Sequence, residues 1–203
     1  MGKLIMVRHG ESEGNANRRF TNSPDAAITE VGRRQAYEAA LKIKQMFKPA
    51  LVIASPYFRA RETARIIAEQ LGLRLEIERE FREQSLGQLA GQPYEVVRAD
   101  PTFDPTRSWS WRPPGGESHE DVRNRTGPLL DRLAQQYAFD ELVIVSHGGV
   151  MRALWAHVTG RWEDAHIPAN CGIVVIEHDS GRYNPPPHIV EGGLDAAARE
   201  SGG

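Results

Sequence analysis

Four side chains with the chemistry to hold and accept a phosphoryl group stand just beyond three strand-like runs of this chain. Arg8-His9-Gly10-Glu11 follows the first run, Ser55-Pro56-Tyr57-Phe58-Arg59-Ala60 the second, and Ser146-His147-Gly148-Gly149 the third. Imidazole is a nucleophile at neutral pH without help from a metal. Planar arginine forks match the oxygens of a phosphoryl group in pairs. Two imidazoles and two guanidinium groups in one pocket repel each other unless an anion fills it, and a phosphoryl group is the anion that suits them best. Helix starts after Gly10 and Gly148 would add backbone N–H donors and positive dipole ends, with glycine allowing close approach. His9, on the tight turn nearest its strand, is the expected nucleophile. Transfer also needs an acid for the leaving oxygen, and Glu83 in Phe81-Arg82-Glu83-Gln84-Ser85-Leu86-Gly87 is the candidate, although residue type alone singles it out weakly.

These residues converge only if the runs are neighbouring strands of one sheet. Lys3–Arg8, Ala50–Ser55 and Glu141–Ser146 are continuous apolar runs rather than alternating ones, as strands covered on both faces require. Helical patterns separate them. Thr29 is placed to cap a helix carrying Ala36, Ala39, Ala40, Ile43 and Phe47 on one face, and a second runs from Tyr57 to Leu71 with Gly72 as its stop. Arg61 and Arg65 fall on the exposed face of that second helix beside Glu62. A capping box at Ser118 and Asp121 opens a third helix, in which Pro128 predicts a kink or break. A fourth runs from after Gly149 to near Gly160, and a last strand, Gly172–Glu177, turns at Asp179-Ser180-Gly181. The alternation predicts a three-layer α/β/α sandwich around a mostly parallel sheet, with ligands bound beyond the carboxyl ends of the strands.

One catalytic domain over residues 1–184 is expected, followed by a flexible Gly- and Ala-rich tail over 185–203. Residues 100–116, rich in Pro, Trp and Arg, read as a long loop. Arg107, Trp109, Trp111 and Arg112 there suit a lid over substrate and ordinary loop packing equally well. The 203 residues include 25 basic and 27 acidic side chains, a net charge of -2 that gives no reason to expect nucleic acid as partner. No apolar run is long enough to span a bilayer, the first residues lack a signal-peptide pattern, and the single cysteine, Cys171, suits a reducing compartment, so the cytoplasm is expected. His119, His157, His166, His178 and His188 have no metal-ligand spacing and read as structural or exposed. Cys171 reads as a small core or edge residue, and Arg123 and Arg125 as a solvated helix face.

Arg8-His9-Gly10-Glu11-Ser12 resembles the signature of the histidine phosphatase (phosphoglycerate mutase-like) superfamily. The resemblance continues in order through Asn15, Phe20-Thr21, the Thr29-to-Ala36 segment, Ser55-x-x-x-Arg59-Ala60-x-x-Thr63-Ala64, Glu83-x-x-x-Gly87, Pro114-Gly115-Gly116-Glu117-Ser118 and Ser146-His147-Gly148-Gly149. It implies a phosphoglycerate mutase-like fold and a phosphohistidine formed at His9. It also implies that Arg8, Arg59, His147, Asn15 and the Gly148 N–H contact the phosphate, that Glu83 is the acid and later the base, and that neither metal nor cofactor is needed. Thr21 aligns with a substrate-contacting hydroxyl, although Asn22 replaces the glycine that follows it in mutases. The Trp-Asn, Gly-Trp and Arg-His-Tyr-Gly patterns of mutases are absent, and the insertion after Glu83 is short. The expectation is therefore a phosphatase acting on a small phosphorylated metabolite. Phosphoglycerate mutase is the alternative, and a non-catalytic phospho-ligand binding module ranks behind it. Dimers are common in the family, so a homodimer is possible.

Overall fold

A computed structural model describes residues 1–21 and 23–190 of the chain. In order, its elements are β1 (Gly2–Arg8), α1 (Glu13–Ala16), α2 (Glu30–Met46), β2 (Leu51–Ala54), α3 (Phe58–Leu71), β3 (Leu75–Ile77), α4 (Val96–Ala99), α5 (His119–Gln136), β4 (Glu141–Ser146), α6 (Gly148–Thr159), β5 (Ile173–Asp179) and β6 (Arg182–Val190). Short 3₁₀ turns occupy Arg79–Phe81, Gly87–Leu89 and Pro105–Arg107. One six-stranded sheet has the order β3-β2-β4-β1-β5-β6. Its β3, β2, β4 and β1 are parallel, β5 is antiparallel to β1, and β6 hairpins onto β5.

Side-chain alternation divides the apolar runs between two cores. Leu4, Met6, Leu51, Ile53, Leu142 and Ile144 point to one face and pack against Val122, Leu129 and Leu130 of α5 and Val150 and Leu154 of α6. Ile5, Val7, Val52, Ala54, Val143 and Val145 point to the other, against Ala40 and Ile43 of α2 and Ala60, Ala64 and Ile67 of α3. Both faces are covered, which is why the strands read as unbroken apolar runs. The expected sandwich is the one found.

The caps stand where their residues predict. Thr29 Oγ1 accepts the Gly32 N–H, Ser118 and Asp121 form the capping box of α5, and Gly72 and Gly160 close α3 and α6 in the left-handed conformation. Three expectations need correction. Helix α5 runs through Pro128 without a break. The chain does not leave the fold at residue 185, because β6 carries it through three prolines to Val190. Proline is tolerated there because β6 is the edge strand, where an N–H directed away from the sheet has no ladder bond to lose, and the register shifts between Val175 and Glu177. The remainder of the expected tail, 191–203, lies outside the described residues. Glu62 is buried rather than exposed, accepting from the Ile28 N–H and pairing with Arg33.

Residues 100–116 do form an irregular loop, held by its own contacts. Trp109 stacks on Trp162 at 6.1 Å, Trp111 Nε1 donates to Thr102 Oγ1, and Arg112 pairs with Asp121. Of the two uses open to this loop, the ordinary packing is what these contacts describe.

Candidate active site

Parallel pairing of β1 with β4, and of β4 with β2, brings the three motif ends to one edge of the sheet. A cavity of about 560 Å³ opens there, and Arg8, His9, Asn15, Thr21, Arg59, Glu83 and Gly148 all line it. Of the site residues expected from the sequence, only His147 is absent from its wall. Its ring lies wholly buried behind His9, with the two ring centroids 5.2 Å apart.

His9 is held in one orientation. Its Nδ1 donates to the Gly10 carbonyl at 2.7 Å, which leaves Nε2 with its lone pair, and the Arg59 Nε–H donates to that atom at 3.3 Å. A carbonyl can only accept, so the backbone itself selects the tautomer with a free Nε2. Thr63 fixes the turn by accepting the Gly10 N–H and donating to the Arg59 carbonyl, tying the first motif to the first turn of α3. The one-turn α1 begins only at Glu13, so the N–H groups of a long helix do not follow Gly10 as expected. They do follow His147, the N-cap of α6.

Arg59 stacks over Tyr57 and is 4% exposed. Arg8 donates to the Pro168 carbonyl, while its buried Nε has no partner. Its guanidinium rests on Gly148. A buried guanidinium N–H without an acceptor is costly unless an anion completes it. His147 is anchored by Ser55 Oγ at 2.7 Å from Nε2, and its Nδ1 is also without a partner.

Glu83 points at the start of α6. Its carboxylate accepts from the Gly149 N–H at 3.5 Å and from the Gln84 N–H at 2.8 Å. A Cβ on Gly149 would sit 2.7 Å from Glu83 Oε1, closer than packing allows. Gly149→Ala should therefore fold normally and displace the carboxylate. The expected loss is on the order of 10²-fold in kcat for alkyl phosphates, with an unchanged melting temperature, measured by phosphate release and thermal unfolding.

Sequence reasoning placed Arg125 on a solvated face, and the structure corrects this. Its guanidinium donates to the carbonyls of Glu80, Arg82 and Glu83 and pairs with Glu117. One α5 side chain thus fixes the segment that carries the acid. Glu117 has two arginines beside it, and its carboxyl is held below the ordinary range by Arg125, Ser85 and Arg82 despite partial burial. Also unforeseen are Asn170, whose amide donates to the His9 carbonyl and Asn15 Oδ1, and Tyr94, which accepts from Asn15 Nδ2. Position 117 already stood in the motif series, whereas nothing local marks Arg125, Asn170 or Tyr94. His119, read as structural or exposed, lies in the cavity wall.

Burial, then the positive charges of Arg59 and Arg8, hold the His9 imidazole well below its usual range. Burial, then Arg59, His9 and Arg8, do the same to His147. Both rings are neutral at pH 7, as a nucleophile requires. The unfolded chain takes up protons on these rings near pH 6.5 and the folded protein only at lower pH, so their contribution to stability is complete above about pH 6.5 and falls as the pH drops toward the folded-state values. Each ring contributes a slope of about 1.4 kcal/mol per pH unit below that point. Urea midpoints at pH 7.5 and 5.5 measure it, and His147→Asn should flatten the dependence.

A sandwich whose parallel strands converge on a cationic cavity, with a neutral histidine free at one nitrogen, defines an enzyme of phosphate esters. The chain belongs to the histidine phosphatase superfamily (branch 1), whose model matches residues 4–185. It is 34% identical to a glucosyl-3-phosphoglycerate phosphatase of Mycolicibacterium vanbaalenii over 78% of this chain and 74% of that protein. It is 29% identical to a probable phosphoglycerate mutase GpmB of Erwinia tasmaniensis over 98% of this chain and 96% of that one. A solved mycobacterial glucosyl-3-phosphoglycerate phosphatase complexed with VO3 superimposes with a TM-score of 0.81 at 27% identity, covering 92% of this chain and 96% of that chain. The family and the phosphatase relatives are consistent with phosphomonoester hydrolysis, and the mutase relative makes mutase activity the weaker alternative. No helix among the described residues is long and apolar enough to cross a membrane.

Proposed function

We propose that the protein hydrolyses small phosphomonoesters through a phosphohistidine on His9. The observation that carries this reading is the Gly10 carbonyl, which fixes the His9 ring so that Nε2, beside Arg59 in the cavity, keeps its lone pair. Arg8, Arg59, Asn15 and the Gly148 N–H hold the phosphoryl oxygens, and His147 meets one of them through its unpartnered ring nitrogen. Nε2 attacks phosphorus as the bond to the ester oxygen breaks, and that oxygen takes the proton of the Glu83 carboxylic acid. The resulting carboxylate then accepts a proton from water. The water oxygen attacks phosphorus, the P–N bond breaks, and phosphate and free His9 are restored. Thr21 faces the leaving group.

Arg8 and Arg59 supply the positive charge that a metal would otherwise bring to the transferring oxygens, so we read the reaction as metal-independent. The lone, buried Cys171 fits a cytoplasmic protein.

A mutase shares the first half-reaction and returns the group to the bound product instead of to water. Supplying 3-phosphoglycerate with a catalytic amount of 2,3-bisphosphoglycerate separates the two readings. At high enzyme concentration, slow release of free phosphate without 2-phosphoglycerate is the expected result, and rapid isomerisation with little phosphate overturns it.

A further inference from the structure

The cavity that takes the phosphoryl group is much larger than that group, so its remaining wall must face the rest of the substrate. Among the described residues, the charged side chains of that wall are Arg8, Arg59 and Glu83, all already engaged with the phosphoryl group or the ester oxygen. The rest is apolar, aromatic or neutral: Phe20 edge-on to Tyr94 at 4.9 Å, with Pro24, Leu86 and Ile167 among the others. The charges balance without a remainder. Two guanidinium groups offset a phosphate dianion, and Glu83 is committed to the proton transfer with the ester oxygen.

His119 is the one other described wall residue of a type that can become a cation outside the phosphoryl site. Burial, then Arg152, pushes its imidazole down to about 4, so it faces the cavity neutral. Among the described residues its buried Nδ1 has no partner. Arg152 itself stands outside the wall, its guanidinium donating to Ser108 Oγ at 2.9 Å.

We propose that this cavity selects phosphomonoesters whose leaving group is uncharged, with an aliphatic or aromatic body against Phe20 and Tyr94 and a hydroxyl-type polar group within reach of His119. Esters that carry a carboxylate, phosphoglycerates and phosphoserine among them, are disfavoured, because a further anion finds no cation to pair with on the described wall, Arg152 standing behind His119 and bonded to Ser108. The inference deepens the phosphomonoesterase reading and rests on it.

The test is a matched set: benzyl phosphate, 4-(hydroxymethyl)benzyl phosphate and 4-carboxybenzyl phosphate, whose ester oxygens are nearly alike. The carboxylated ester should show a kcat/KM at least about 30-fold below the two neutral ones, the ratio expected when one charge is left without a partner. Ala90→Lys, which adds a cation at an exposed position on the cavity rim, should narrow that ratio about threefold. His119→Leu should cost the hydroxymethyl ester its advantage over the plain benzyl ester, chiefly in KM. Equal or better turnover of the carboxylated ester overturns the selectivity while leaving hydrolysis intact. If no ester is turned over, the hydrolase reading fails, and calorimetric binding of the same three esters to the His9→Ala protein still decides the selectivity: tighter binding of the neutral pair upholds it, and equal or tighter binding of the carboxylate refutes it.

Discussion

His9→Ala protein should release phosphate from any monoester at a rate lowered by on the order of 10⁴-fold or more, since the group that receives the phosphoryl is gone. The wild-type enzyme, quenched in turnover with a ³²P-labelled ester, should carry a label that survives base and is lost in acid, as a phosphohistidine does. The variant should carry none. Its fold should persist: the His9 ring makes one hydrogen bond to its neighbour's carbonyl and receives one from Arg59, while the motif backbone is held independently, donating to Thr63 and Ser146 and accepting from Asn170. A folded variant that still turns over at the wild-type rate would remove His9 from the reaction.

Glu83→Gln should lose activity in proportion to the difficulty of the leaving group. An alkoxide needs its proton as the bond to phosphorus breaks, so an alkyl phosphate should slow by on the order of 10²- to 10⁴-fold. A p-nitrophenolate leaves without a proton, and its rate of His9 phosphorylation should fall by no more than about tenfold. Glutamine keeps the shape and can still accept from the Gly149 N–H, so the comparison isolates the proton. Burst kinetics make the two steps separable, because water attack on the phosphohistidine also needs a base at this position. Accumulation of phosphoenzyme with p-nitrophenyl phosphate is therefore the second sign of the role. Equal slowing with both esters would assign Glu83 to binding alone.

Much of this architecture was legible because two local signals agree. Runs such as Leu4 to Val7 and Leu142 to Val145 are apolar at every position, which only a doubly covered strand requires, and Thr29, Ser118, Gly72 and Gly160 mark helix ends by their own backbone chemistry. Where the local signal misled, a neighbour had overridden it. Prolines 185–187 look like a chain leaving the fold, but an edge strand leaves outward N–H groups unused. Arg125 looks like one more solvated arginine of α5 until the carbonyls of Glu80, Arg82 and Glu83 are brought to it from some forty residues away. Tryptophans 109 and 111 suited a lid and ordinary packing equally, and only the fold supplied their partners, Trp162 and Thr102.

The residue types alone dictated the chemistry: imidazole can act as a nucleophile, guanidinium as a cation and a carboxyl as a proton donor, and their order along the chain named the strands that must carry them. What only the folded chain decided was which atom reacts and what it meets. The Arg59 contact at His9 Nε2, the neutrality of both histidines and the absence of a third cation from the described cavity wall are products of burial and of contacts between residues 50 to 161 positions apart. No stretch of sequence encodes such contacts locally, because hydrogen-bond partners and local dielectric exist only once the sheet has brought its strand ends together.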